Sequence, residues 1–514
     1  MKFPLPVDVF PRLQFAKQDQ NVLHGVANAL VDDTLQQYHA QRQFQAMVTM
    51  TMAASAARSS ASRTTFHAQH PRNAVPDDPL ENQDQYSVDS LRWRLLKHRD
   101  NVRVYKERPS FHQAQLERQQ QQAHPNADNN QSAGLSDLEL VSAHQKRRQP
   151  VLPMMMGIGS VQGNVDDIIY GLLSHTQETA QIRASYVGDD VVDSQVLASL
   201  TRPSGSEPLR SLSVKWCAKR HNGIIRSLVR YRDFVFIEAT GITHDQNGER
   251  VGYHLIHSIA VPGVRELHEM NVVRAKISMC CLFRQKHGST VEVFMKGFLN
   301  PLGDVPLSTA MASAAESVLS ICKTIHCAHM KKLAWELATA AASENQRRVT
   351  RNVDSCEICW KGLRASLHSK RQCQMCRRHL CSRCRVPKKL HFLSPESPSA
   401  HTIQKSVLFC SCCVFKATQT SSIELAVRES VSHHALAVYD AHTVTTTSPG
   451  SAASSSMRSR ALYPSPKSTR SCASSASSTY YPPSSTAGYS SAASTPSARA
   501  QGSRHGSRMS RWFH

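Results

Sequence analysis

Cysteine spacing carries the clearest chemistry in this chain. Eight cysteines fall into four pairs with two residues between partners: Cys356 and Cys359, Cys373 and Cys376, Cys381 and Cys384, Cys410 and Cys413. That gap lets both thiolates of a pair reach one zinc at about 2.3 Å, so four pairs supply two four-thiolate sites. Metal binding would then provide the folding energy that a short segment with few apolar residues lacks. Two zinc ions are therefore the expected cofactor. Cys412 also lies in the stretch, but only Cys413 keeps the two-residue gap from Cys410. Cys217, Cys280, Cys281, Cys322, Cys327 and Cys472 lie outside it and read as ordinary small thiols.

Basic residues crowd the same stretch. Lys361, Lys370, Arg371, Arg377, Arg378, Arg383 and Arg385 face only Asp354 and Glu357 nearby in sequence. The whole chain of 514 residues carries a formal charge of +22, which favours polyanions as partners. Lys370, Arg371, Arg377 and Arg378 are the candidate contacts to an anionic phospholipid. Near an anionic leaflet each such residue contributes about 1 kcal/mol. Leu363 and Leu367 could wedge into a bilayer or fill a small core. No nucleophile–base pair, phosphate loop or open metal site is evident, so no enzymatic activity is expected.

The elements that would position these groups are legible in part. Residues 19–39 have a helical period, with Val22, Val26, Leu30, Thr34 and Tyr38 on one face. Residues 50–90 read as a loose loop, and 91–108 as a short helix followed by a strand around Val102–Tyr105. The polar stretch 110–148 cannot bury much apolar surface and is expected to be disordered. A strand is expected over 151–161 and a helix capped by Asn164. Further strands are expected over 233–240, 250–260, 272–283 and 290–296. Asp245–Gly248 has turn chemistry. In 272–283 the residues Ala275, Ile277, Met279, Cys281 and Phe283 alternate with polar ones, as in a half-buried antiparallel strand. A long helix is expected over 307–337. This order gives an α+β fold class: an antiparallel sheet closed by a long C-terminal helix.

Particular segments resemble the START domain, the helix-grip lipid-transfer fold. They are Trp93 with NVRVY at 101–105, VDDIIYGLL at 165–173, RDFVFIEATG at 232–241, GYHLIHS at 252–258, FMKGFLNPLGDVP at 294–306 and AHMKKLAWEL at 328–337. The resemblance implies a START-like domain over 91–343, interrupted by the polar insertion and preceded by an N-terminal extension over 1–90. It also implies a lipid or sterol held between sheet and helix. His254, His257 and His329 read as packed or surface histidines rather than ligands.

The spacing of the cysteine pairs, with 13 residues before the second, four before the third and 25 before the fourth, resembles a FYVE-type finger over 350–420. That resemblance implies a cross-brace. Cys356, Cys359, Cys381 and Cys384 would hold one zinc; Cys373, Cys376, Cys410 and Cys413 would hold the other. It also implies phosphoinositide recognition at the membrane. Here the chain departs from the family: Arg371 and Gln372 stand where two histidines are usual, and Gln374 replaces an Arg. A RING-like ubiquitin ligase or protein-interaction finger is the alternative, with His379 as a ligand choice. A nucleic-acid binder is the weaker alternative, because the spacing is not that of a two-Cys, two-His finger. The tail over 442–514 has eight Lys/Arg and no Asp or Glu and is expected to be disordered. The expected setting is cytoplasmic, peripheral on endosomal membranes.

Overall fold

The computed structural model describes residues 3, 5, 9–61, 86–109, 111, 153–188, 191–220, 229–303, 305–342, 354–363, 372–394, 402–431 and 438–439. The expected insertion over 112–148 and the tail from 442 lie outside the described residues.

Helix α1 spans Lys17–Ala61. It covers the expected 19–39 and continues through 50–61, where a loop was expected. The stretch after Gln45 lacks Gly and Pro and is rich in Ala and Met, both strong helix formers. Its buried stripe is Leu23, Ala27, Val31, Leu35 and Tyr38; of the expected face Thr34 and Tyr38 are buried, while Val22, Val26 and Leu30 are half-buried at its edge. Each large apolar side chain so buried stabilises the fold by about 1.5–3 kcal/mol.

The segment expected as a short helix is instead strand β1, Trp93–Arg99, paired antiparallel with β2, Val102–Glu107. Arg99 pairs with Val102, leaving Asp100–Asn101 as a two-residue turn with Asp100 at φ 50°. Such left-handed turns match the twist of a hairpin, and that local geometry overrides the weak helical pattern. Then come β3, Met155–Gln162; α2, Val165–Leu172; and α3, Gln177–Val187. Asn164 caps α2, its side chain accepting from the Asp167 N–H at 2.7 Å. Strands follow as β4 (Val191–Thr201), β5 (Ser211–Lys219), β6 (Tyr231–His244), β7 (Arg250–Ser258), β8 (Val272–Arg274), β9 (Lys276–Gln285) and β10 (Thr290–Asn300). The Asp245 carboxylate closes the β6–β7 turn by accepting from the Asn247 and Glu249 N–H groups.

The main sheet has ten strands, in the order β1-β2-β3-β10-β9-β7-β6-β5-β4, with β8 added in parallel to β6. Both faces are covered. One carries α1, packed in a shared core with Trp216, Val235, Ile237, Leu255 and Leu282. The other carries α2, α4 (Leu307–Leu319) and α5 (Thr324–Ala342). The half-buried expectation for β9 therefore fails on its second face: Cys280 and Leu282 are buried beneath α1. The single long helix expected over 307–337 is two helices, separated by a tight 3-10 turn at Ser320–Lys323.

After the main sheet, two isolated bridges, Ser355 to Gly362 and Gln372 to His379, close two small loops. Strands β11 (Arg385–Leu393) and β12 (Thr402–Cys410) form a hairpin, followed by α6 (Ser411–Gln419) and α7 (Ser422–Val431). Leu380, Leu390, Phe392 and Phe409 of this region are buried in the same core as α2 and α5.

Candidate metal centre and cavity

Each small loop carries one cysteine pair and turns sharply after it. Trp360 and Arg377 occupy equivalent places, one residue past each pair, with φ 60° at both. The Trp360 N–H donates to the Cys356 carbonyl at 2.7 Å and the Arg377 N–H to the Cys373 carbonyl at 2.8 Å. These turns fold each pair back so that its two sulfurs converge. The hairpin brings in the remaining pairs, at the entry to β11 and at the exit of β12.

The result is two groups of four sulfurs. Cys356, Cys359, Cys381 and Cys384 form one; Cys373, Cys376, Cys410 and Cys413 form the other, and within each all sulfurs lie within 4.8 Å of one another. The first pair therefore shares a group with the third, and the second with the fourth. A tetrahedral zinc with ~2.3 Å bonds to sulfur needs sulfurs about 3.8 Å apart. Cys359 and Cys381 are 3.5 Å apart, and Cys376 and Cys410 are 3.8 Å apart. The residues present thus fit a metal ion at each group. Hydrogen bonds from Cys376, Cys410 and Cys413 hold Cys373 far down, while Cys373 pushes Cys413 far up. Four thiolates at one point require a cation between them.

Cys412 is exposed and belongs to neither group. His379 is also outside both. Its backbone N–H donates to the Glu357 carboxylate at 2.8 Å and its ring Nε2 faces the Gln372 side chain at 2.7 Å. The RING-like choice of His379 as a ligand therefore finds no support in the geometry. Arg377 and Arg378 are both exposed; Lys370 and Arg371 lie outside the described residues, as does Leu367. Some of the surrounding positive charge has a local use, since two zinc–tetrathiolate centres would carry about four negative charges between them.

A cavity of ≈ 160 Å³ lies between the inner face of the sheet and α4, with α3 at its side. Alternation along two strands builds its floor: Lys215, Cys217 and Lys219 from β5, and Arg232, Phe234 and Phe236 from β6. Ile277 and Met279 continue the floor, and Ala310, Ser313, Ala314 and Ser317 of α4 form the roof. The volume is below the ~300–1,000 Å³ of common ligand pockets.

Two of the lining residues, Arg183 and Lys215, meet at the buried Glu238. Arg183 donates to it at 2.6 Å, His254 faces it at 2.8 Å, Ser174 donates at 3.1 Å, and Lys215 makes an ion pair with it. Burial works to raise the Glu238 carboxyl, but Arg183, Lys215 and His254 together hold it well below the usual range. Burial lowers Lys215, and Glu238 offsets part of that. His257 faces the Ser278 hydroxyl and His329 pairs with Asp167, so none of the three histidines singled out belongs to a metal cluster among the described residues.

No family model matches the chain, and no curated protein is similar to it. Among solved structures it is similar to human StAR-related lipid transfer protein 5, at 12% identity and TM-score 0.28, over 47% of this chain and 90% of that one. It is also similar to a STAR-related lipid transfer protein from Xanthomonas axonopodis, at 14% identity and TM-score 0.28, over 46% of this chain and 98% of that one. The chain's own geometry carries the functional reading.

Proposed function

We propose that this chain is a non-enzymatic, zinc-stabilised lipid-binding adaptor. The START-like body takes an apolar ligand between sheet and helix. The FYVE-like finger holds two zincs in a cross-brace and meets anionic phospholipid or phosphoinositide through its basic surface. The observation that carries the reading is the cavity roofed by α4, with aromatic and aliphatic walls and the polar groups of Arg183 and Lys215 in its lining. Its small volume implies that α4 shifts outward on loading.

Native mass spectrometry of the purified full chain tests the cavity. A bound lipid or sterol is expected, and Ala314→Trp, which fills the roof, should abolish its retention with the fold intact. Ligand retention unchanged by that substitution would place any lipid elsewhere. Sedimentation with phosphatidylserine-containing vesicles tests the finger. Arg377→Glu with Arg378→Glu should reduce binding several-fold without releasing zinc, and raised salt should do the same, because exposed charges are screened within about 8 Å.

A further inference from the structure

Beside the core formed by Leu390, Phe392 and Phe409, the β11–β12 hairpin meets α3 at one tyrosine. The Tyr186 ring, near the end of α3, stands edge-on to two imidazoles. His391 of β11 is 4.7 Å away and His326 of α5 is 6.1 Å away, with interplanar angles of 75° and 79°. The His391 backbone N–H donates to the Tyr186 hydroxyl at 2.9 Å. His391 Nε2 faces the Gln404 side chain at 3.0 Å, and its Nδ1 is buried with no hydrogen-bond partner.

We propose that His391, with the exposed His326 beside it, forms an acid-sensitive latch, which holds the hairpin against α3 and α5 at neutral pH and releases it when the rings take up protons. A protonated imidazole donates from both nitrogens, and a buried donor without an acceptor is costly. The Gln404 amide nitrogen can only donate, so neutral His391 accepts at Nε2; protonation there sets two donors face to face, and Nδ1 has no acceptor to offset it. The surrounding groups worsen the mismatch. Lys388 and Lys389 come from β11, Gln404 from β12, and His329 from α5 beside His326. From α3 only the neutral Tyr186 hydroxyl faces the pair. No carboxylate is among the groups acting on either ring. Asp167 pairs with His329 at 3.4 Å and is already engaged by Lys332 and the Ser422 hydroxyl.

The titration agrees in direction. Burial, then Lys388 and His329, lower His326; burial, then His326 and Lys389, lower His391. Rings that bind protons more weakly when docked contribute docking energy at and above the free imidazole range near 6.5. That contribution falls as pH drops through the free value, by up to about tenfold per proton per pH unit. The second anchor of this region behaves differently. Burial would raise Asp167, but hydrogen bonds from His329, Lys332 and Ser422 keep it below the usual carboxylate range. Mild acid therefore frees the hairpin while α7 stays clamped through Asp167.

This inference does not depend on the lipid reading. Hydrogen exchange on the full zinc-loaded chain at about pH 7.5 and about pH 5.5, corrected for intrinsic rates, tests it across the free histidine range. In the native chain, amides of β11, β12 and the end of α3 are expected to lose at least tenfold protection at the lower pH, with zinc content unchanged. His326→Leu with His391→Phe should stay protected at both values. If that double variant fails to fold, His391→Gln should show a shallower pH response. Equal protection of the native chain at both values, a full response in the variants, or opening matched by zinc loss would overturn the latch.

Discussion

Glu238 accepts from Ser174, Arg183, Lys215 and His254 with its side chain 3% exposed. Removing one member of such a buried pair leaves an uncompensated charge, which costs about 3–5 kcal/mol. Glu238→Gln should therefore destabilise the chain by that order at neutral pH, measured by denaturant unfolding. The native chain's own pH dependence has a definite sign. Glu238 is depressed when folded, so its contribution is complete above the free glutamate range and is lost as pH falls through the depressed value. In the variant that acid dependence should shrink. At the metal groups the residue-scale test is stoichiometric. Cys413→Ser removes a ligand and should leave one zinc per chain; Cys412→Ser, outside both groups, should leave two. Metal analysis distinguishes them directly. The eight cysteines of the two groups were legible in the sequence because a gap of two residues lets both thiolates of a pair reach one metal. The Glu238 network was not legible, since Lys215 and Glu238 are inward-facing charges on neighbouring strands whose pairing only the register reveals.

Helices α2 and α5 cross at Gly171, where a Cβ would lie 2.2 Å from the Thr324 carbonyl oxygen. No rotamer relieves that contact, because the obstruction is backbone. Gly171→Ala must push α5 outward, and overpacking of this kind costs about 1–3 kcal/mol. The expected result is a lower melting temperature and faster exchange along α5, with the sheet under α1 little affected. Strand and helix signals in the sequence varied with how each element is buried. β7 and its Asp245–Gly248 turn were visible from turn chemistry and strand-forming residues. β5 was silent: eight of its nine residues are buried, Lys215 among them, so neither alternation nor an apolar run marks it. α3 was silent too, because only Thr179, Ile182 and Val187 are buried and its sequence is polar elsewhere. β1 misled, since LRWRLLK matches a helix as well as a strand until the Asp100–Asn101 turn fixes its partner.

The sequence divides naturally into a grip domain and a finger, yet the two share one core. Tyr170 of α2 donates to Glu429 of α7 at 2.5 Å, with the Lys331 ammonium 3.9 Å from its ring centre. Lys332 of α5 donates to Asp167 and to the Thr418 carbonyl of α6. Phe392 and Phe409 of the hairpin are fully buried with α5 residues such as Leu333. A separate bead on a linker would make few such contacts. Zinc binding should therefore stabilise more than the finger. With the metal removed, eight crowded thiols no longer fix the hairpin, and Tyr186, Lys332 and Asp167 lose partners that keep buried polar groups satisfied. The roof helix α4 joins α5 through the four-residue turn, so loosening α5 should also loosen the cavity. Treating the full chain with a strong chelator should remove two zincs, raise exchange in α2, α5 and α7, and release the apolar ligand proposed for the cavity. Exchange in the α1-covered strands β5–β7 should change least, because their core with α1 is separate. The same chelation on a chain carrying Cys356→Ser and Cys373→Ser should add little, since both sites are already broken. Exchange confined to residues 354–419 after zinc loss, with lipid retained, would show instead that the shared core tolerates an open finger. A 345–420 fragment should fold less stably than the same segment in the full chain, because Leu390, Phe392 and Phe409 lose the surface that buries them.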